Sequence, residues 1–98
     1  MAENVQIQRL TFENFIVRLV RRFQDKVVNV EFFCGECCKK AVGGTLTLVG
    51  RDFLELEAPQ EEKIQVFTIS GGTIVLEELV EAIIIPLKQV CSVEIPND

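Results

Sequence analysis

Val42-Gly43-Gly44-Thr45-Leu46-Thr47-Leu48-Val49-Gly50-Arg51-Asp52-Phe53-Leu54-Glu55-Leu56-Glu57-Ala58 is the stretch whose reading decides the fold. In residues 42–49, Thr45 and Thr47 alternate with Gly44, Leu46 and Leu48, the period of two that marks a strand. Consecutive glycines inside a strand usually mark a sharp bend, as at a barrel corner. Gly50-Arg51 reads as a turn. In residues 52–58, Phe53, Glu55 and Glu57 then oppose Leu54, Leu56 and Ala58 in a further strand. A kinked strand, a tight turn and a second alternating strand predict a small, strongly curved sheet.

Toward the N-terminus, Val28, Val30 and Phe32 share one parity and Asn29 and Glu31 the other, which predicts a strand over residues 27–33. Residues 34–40, with Gly35 and two lysines, read as the turn between these strands. Before them, Phe12, Phe15, Ile16, Leu19, Val20 and Phe23 recur at helical spacing. This predicts a helix over residues 11–23, with Thr11 as N-cap and Arg21 and Arg22 at the negative end of its dipole. Arg18, Arg21, Arg22 and Lys26 form a candidate basic patch whose simpler reading is a solvated face.

Toward the C-terminus, residues 59–63 form a polar loop and residues 64–69 a strand. Ser70-Gly71-Gly72-Thr73 signals a hairpin turn. Residues 74–85 fit two patterns. Val75, Leu76, Leu79, Val80 and Ile83 make a helical stripe, but the flanking β-rich sequence and Ile83-Ile84-Ile85 favour strand. Pro86 confines that strand to an edge or an end. A short turn at residues 87–89 leads to a last strand over residues 90–95.

Ninety-eight residues fit one domain, residues 1–98. Hydrophobic residues at 48%, charged residues at 26% and a mean hydropathy of +0.27 exclude a disordered composition. The chain has no histidine, tyrosine or tryptophan, which removes Ser-His-Asp and Cys-His catalysis and histidine metal sites. No nucleophile–base pairing is visible, and the alternating glutamates Glu55/Glu57 and Glu77/Glu78/Glu81 read as solvated strand faces, so no enzyme is expected. The net charge of −5 makes RNA an unfavoured partner. Met1-Ala2-Glu3-Asn4 shows no secretory pattern and no apolar run reaches membrane-spanning length, so a cytoplasmic protein with no membrane contact is expected.

In a reducing compartment four cysteines raise metal binding or redox work before a structural disulfide. Cys34-Gly35-Glu36-Cys37-Cys38 places a C-x-x-C on a turn. One such pair is half of a tetrahedral thiolate site for zinc. Cys91 could add a ligand if the last strand pairs with the first, or two copies could each contribute Cys34 and Cys37. The alternatives are a reversible disulfide, or small apolar residues with no ligand. Cys91, between Val90 and Ser92, is expected in the core.

One helix followed by about five short, bent strands resembles the Sm-like (LSm/Hfq-type) small β-barrel. The residues that carry the resemblance are the amphipathic helix, Gly43-Gly44-Thr45-Leu46, Gly50-Arg51-Asp52-Phe53 and the ending from Ile83 to Val93. Gly44-Thr45-Leu46 and Ile85-Pro86-Leu87 are also similar to small Sm-like or SH3-like proteins of spore-forming Gram-positive bacteria. The resemblance implies a mainly β, five-stranded Sm-like or SH3-like barrel with an N-terminal helix, assembly into homo-oligomers or rings through edge strands, and a spore-associated role. The Sm-type RNA pocket carries Asp-x-x-x-Asn on the third strand, whereas Asp52 is followed here by Phe53-Leu54-Glu55-Leu56. Pro86-Leu87-Lys88 stands where that family has a basic residue and glycine.

Assembly is also expected from the residues alone. Ile83, Ile84 and Ile85 are apolar on both faces of a strand, more than a barrel of this size can cover by itself. They are the candidate oligomer interface. The expected function is that of a self-assembling structural or interaction module. A thiolate metal or redox protein built on Cys34 and Cys37 and an RNA-binding ring are the alternatives.

Overall fold

The two glycines at 43 and 44 are the point at which one strand changes partners. The computed structural model describes residues 12–97. A short helix α1 (Phe12–Arg18) continues through one π-helical turn, Leu19–Phe23, and seven strands follow. They are β1 (Val27–Cys34), β2 (Cys37–Val49), β3 (Phe53–Glu57), β4 (Ile64–Ser70), β5 (Thr73–Val80), β6 (Ala82–Pro86) and β7 (Val90–Glu94). All pairings are antiparallel, in the order β5-β4-β2-β1-β7, with β3 also on β2 and β6 on β3. No helix among the described residues is long and apolar enough to cross a membrane.

On one side of β2, Cys38 to Val42 pair with β4, whereas Thr45 to Val49 pair with β3. The switch falls on Gly43 and Gly44. Gly43 is the extra residue of a bulge against β1, between the pairs Asn29–Val42 and Val28–Gly44. Its φ of +84° suits a residue without Cβ. Its N–H donates to Asn29 Oδ1 at 3.1 Å, so the bulge is held by a side chain from the neighbouring strand. At Gly44 an added Cβ would lie 3.0 Å from Leu56 Cβ and 3.1 Å from Ile64 Cδ1. Glycine therefore lets β3 and β4 both approach β2 where they diverge.

The core lies on one face of the curved sheet. Val28, Val30 and Phe32 of β1, Ala41 and Leu46 of β2, Leu54 and Leu56 of β3, Ile64 and Val66 of β4, and Ile85 are all buried. In β1 and β3 this is a face that the period of two marked, whereas in β2 Leu48, of the same parity as Leu46, is exposed beyond a bulge at Thr47. The helix closes the core with Leu19, and Phe15, Ile16 and Phe23 pack beside it. Val20 departs from the expected stripe and is exposed. The π-turn bond from Gln24 N–H to Leu19 O (3.0 Å) widens the last turn and rotates Val20 outward. The expected cap at Thr11 lies outside the described residues. The chain then enters β1 through reciprocal bonds, Asp25 N–H to Leu46 O (2.7 Å) and Leu46 N–H to Lys26 O (2.9 Å).

Three expectations need correction. Five strands become seven: the hairpin signalled at residues 70–73 forms as β4–β5 around Gly71 and Gly72, both with positive φ, and the strand favoured over residues 74–85 breaks at Glu81 into β5 and β6. Residues 74–80 are strand, the favoured of the two patterns. The sheet is also open: β6 and β7 form no ladder with each other. Pro86 lacks an N–H, and the 3-10 turn Leu87–Gln89 redirects the chain so that β7 pairs with β1 instead. Finally, residues 34–40 are not a long turn. Only Gly35 and Glu36 form the loop, and Cys34 and Cys37 are the last pair of the β1–β2 ladder.

Thr68 is the one buried polar side chain among the described residues left without a hydrogen-bond partner at its hydroxyl. It sits on the core face of β4 between Lys39 and Leu76. Thr68→Val removes that hydroxyl without leaving a cavity. It is expected to raise stability by about 1 kcal/mol, read from the urea midpoint, since an unsatisfied buried hydroxyl costs about 1–3 kcal/mol.

Candidate functional site

β5 is an edge strand. It pairs with β4 from Ile64–Val80 to Ser70–Thr73 and its other side is unpaired among the described residues. An alternating strand should show one apolar and one polar face. Here Ile74 (57%), Val75 (58%), Leu76 (50%) and Leu79 (62%) are all largely exposed. The cause is positional. β5 is two strands from the centre of the sheet, and among the described residues only Val80 at its end packs against the core. A bulge between Thr68 and Ile69 leaves Val75 without a partner across β4 and adds to the apolar run.

The expected contact at Ile83, Ile84 and Ile85 looks different in three dimensions. β6 pairs with β3, Ile85 is fully buried, Ile83 is half-buried against the core, and only Ile84 (60% exposed) faces outward. The single copy therefore covers most of this run itself. The surplus expected at Ile83-Ile84-Ile85 is thus mostly covered, and the exposed apolar strand is β5 instead. Ile74-Val75-Leu76 with Leu79-Val80 carried the signal, which the competing helical stripe masked.

The cysteines divide between two faces. Cys34 and Cys37 are opposed across the loop and, by the period of two, continue the face of Val30, Phe32 and Ala41 past the end of the core. Cys34 is exposed and Cys37 half-buried. Gly35, the first loop residue, has φ +70°, the position glycine occupies in a type II′ hairpin turn. Cys38 points to the opposite face. Its Sγ donates to Glu31 Oε2 at 3.7 Å, and Ser92 Oγ donates to Glu31 Oε1 at 3.5 Å. Cys91 is exposed and not in the core as expected. It is the extra residue between the pairs Glu31–Ser92 and Phe32–Val90, and this bulge turns it out of the alternation. All four cysteines are free, and no three His, Cys, Asp or Glu side chains among the described residues are placed to hold a metal ion.

Loss of water around Cys38 pushes its thiol above the ordinary value of 9.0, followed by the negative charge of Glu31, the hydrogen bond to it and the nearby Cys91. A raised folded-state value means that this term stabilises the fold fully below pH 9.0 and is lost as pH rises through the higher folded value. The thiolate is the reactive form. In the reduced protein Cys38, with its raised value and lower exposure, is therefore expected to alkylate more slowly than the exposed Cys34 and Cys91. Peptide mass mapping after timed iodoacetamide treatment reads this out. Equal rates at the three positions would show that Glu31 exerts no such influence.

The basic side chains Arg18, Arg21, Arg22 and Lys26 are all exposed around the end of the helix. The surface also carries two grooves. One, about 760 Å³, runs between the helix and the β2–β3 turn and is lined by Glu13, Ile16, Val17, Val49, Gly50 and Arg51. The other, about 470 Å³, is acidic, with Glu57, Glu61, Glu62 and Glu81 around Lys63. Lys63 pairs with Glu81 and, by its hydrogen bond first and its charge second, holds that carboxyl below the ordinary 4.5. This contact contributes above about pH 4.5 and is lost as pH falls through the lowered value.

Fold and site together define a mainly β protein with one open antiparallel sheet and an uncovered apolar edge. No protein-family model, curated protein or solved structure matches the chain.

Proposed function

We propose that the chain is a non-enzymatic, self-assembling interaction module, and that its contact strand is β5, paired with β5 of a second copy. The carrying observation is the exposure of Ile74, Val75, Leu76 and Leu79 on a strand whose outer edge is unpaired among the described residues. An edge with unpaired N–H and C=O groups and apolar side chains is a template for another strand. Charge selects the register. An antiparallel two-fold pairing centred on Glu77 or Glu78 would set carboxylates against each other, whereas one centred on Val75 or Leu76 separates them and brings the apolar residues together. Those carboxylates also discourage indefinite lateral stacking.

The Sm-like or SH3-like reading of the fold is supported by the path β7-β1-β2-β3-β6 and by the 3-10 turn joining β6 to β7. On that reading β4 and β5 are a hairpin added between the third and fourth strands. A spore-associated setting rests on the resemblance at Gly44-Thr45-Leu46 and Ile85-Pro86-Leu87.

Sedimentation equilibrium tests the proposal. The chain is expected to have the mass of two copies at micromolar concentration. A monomer persisting to about 100 μM, equivalent to an association weaker than about 5.5 kcal/mol, would overturn it.

A further inference from the structure

The end of the β1–β2 hairpin carries a second feature that the β5 contact does not use. Cys34 and Cys37 are directly opposed across a two-residue loop, on one face, at the rim of the sheet. Opposed residues of an antiparallel pair have Cα atoms about 4.5–5.5 Å apart. Two sulfurs on one tetrahedral zinc lie about 3.8 Å apart when each Zn–S bond is about 2.3 Å, so ordinary χ1 rotation brings both thiols to one ion. Gly35 leaves the approach open: a Cβ there would meet nothing within 4 Å. Cys38 cannot join them, because it lies on the other face against Glu31. No third carboxylate or thiol among the described residues completes a set. One chain thus presents two thiols, whereas a closed structural zinc site takes four ligands.

We propose that Cys34 and Cys37 are half of a tetrathiolate site for a thiophilic divalent ion, zinc by its tetrahedral preference, and that the same pair from a second copy completes it. Binding one ion releases the protons of the four thiols to solvent and leaves four thiolates on the metal. The contact differs from the β5 pairing. β2 lies two strands from β5, so Cys37 residues in a β5-paired dimer stand roughly 20 Å or more apart at a strand spacing of about 4.8 Å. Two different two-fold contacts on one chain, both occupied, join dimers into larger assemblies, closed or open. The ion therefore converts dimers into larger assemblies and does not merely tighten the dimer. The site itself needs only the hairpin end and stands whether or not β5 pairs.

Cobalt(II) titration of the full-length, fully reduced protein, with native mass measurement, tests this. The expected result is a thiolate-to-cobalt charge-transfer band with tetrahedral ligand-field absorption, saturating at one ion per two chains, and masses above the dimer. In Cys34→Ser/Cys37→Ser both signals are lost, with affinity at least about a hundredfold lower, while Cys38→Ser and Cys91→Ser bind like the wild type. In Leu76→Glu/Leu79→Glu, cobalt still joins chains in pairs and goes no further, which separates this site from the β5 contact. Saturation at one ion per chain, binding that survives the double serine variant, or the absence of a thiolate band would each overturn the proposal.

Discussion

Leu76→Glu/Leu79→Glu is expected to leave a folded monomer. Both side chains are at least half exposed in the single copy, so the change should cost the monomer only about 1 kcal/mol, within the range of surface substitutions. In a two-fold pairing every substitution enters twice. Four added carboxylates would approach Glu77 and Glu78 of both copies along one seam, and charges buried there without partners are costly. A weakening of at least about a hundredfold, or about 3 kcal/mol, follows. Light scattering reads the mass, and circular dichroism checks that the sheet persists. A variant that remains folded and dimeric would move the contact elsewhere, with Ile84 the next exposed apolar side chain to test.

Leu56→Ala is expected to cost about 2–5 kcal/mol, the range for emptying a fully buried leucine position. Leu56 is completely buried, packs against Gly44 where β2 changes partners, and pairs with Leu46 on one side and Ile83 on the other. Small domains have about 5–15 kcal/mol in total, so this loss is a large part of what holds the fold. The complementary change, Gly44→Val, crowds the same junction and is expected to cost about 1–3 kcal/mol by overpacking. Urea unfolding measures both. A shift under about 1 kcal/mol for Leu56→Ala would mean that the junction is looser than the contacts at Gly44 require.

The parts of the fold legible in the sequence are those set by local alternation and by glycine. Val28, Val30 and Phe32, then Leu54 and Leu56, announce their buried face by period two, and all five are buried. Gly43-Gly44 announces the bend, and Gly71-Gly72 the second hairpin. The rest depends on pairing between segments distant in sequence. Whether an apolar strand residue is covered is decided by its place in the sheet: Ile85 sits over β3 in the core, whereas Leu76, equally apolar, sits on an edge. Cys91 misled because a bulge interrupts the alternation it was read from. The length of β2 was hidden because Lys39 and Lys40 read as turn residues, although Lys39 lies beside Phe32 and Thr68 in the middle of the sheet. At the candidate site, the C-x-x-C was visible. That Cys34 and Cys37 share a face and Cys38 does not follows only from the two-residue loop.

Amide hydrogen exchange at two protein concentrations tests the contact strand most directly, because it reports the hydrogen bonds that a new strand neighbour would make. On raising the concentration from nanomolar to high micromolar, peptides covering Thr73 to Val80 are expected to gain protection, while those covering Ala82 to Pro86 and Val90 to Glu94 keep theirs unchanged. Concentration-independent exchange in β5, or protection appearing at β6 or β7 instead, would contradict the account.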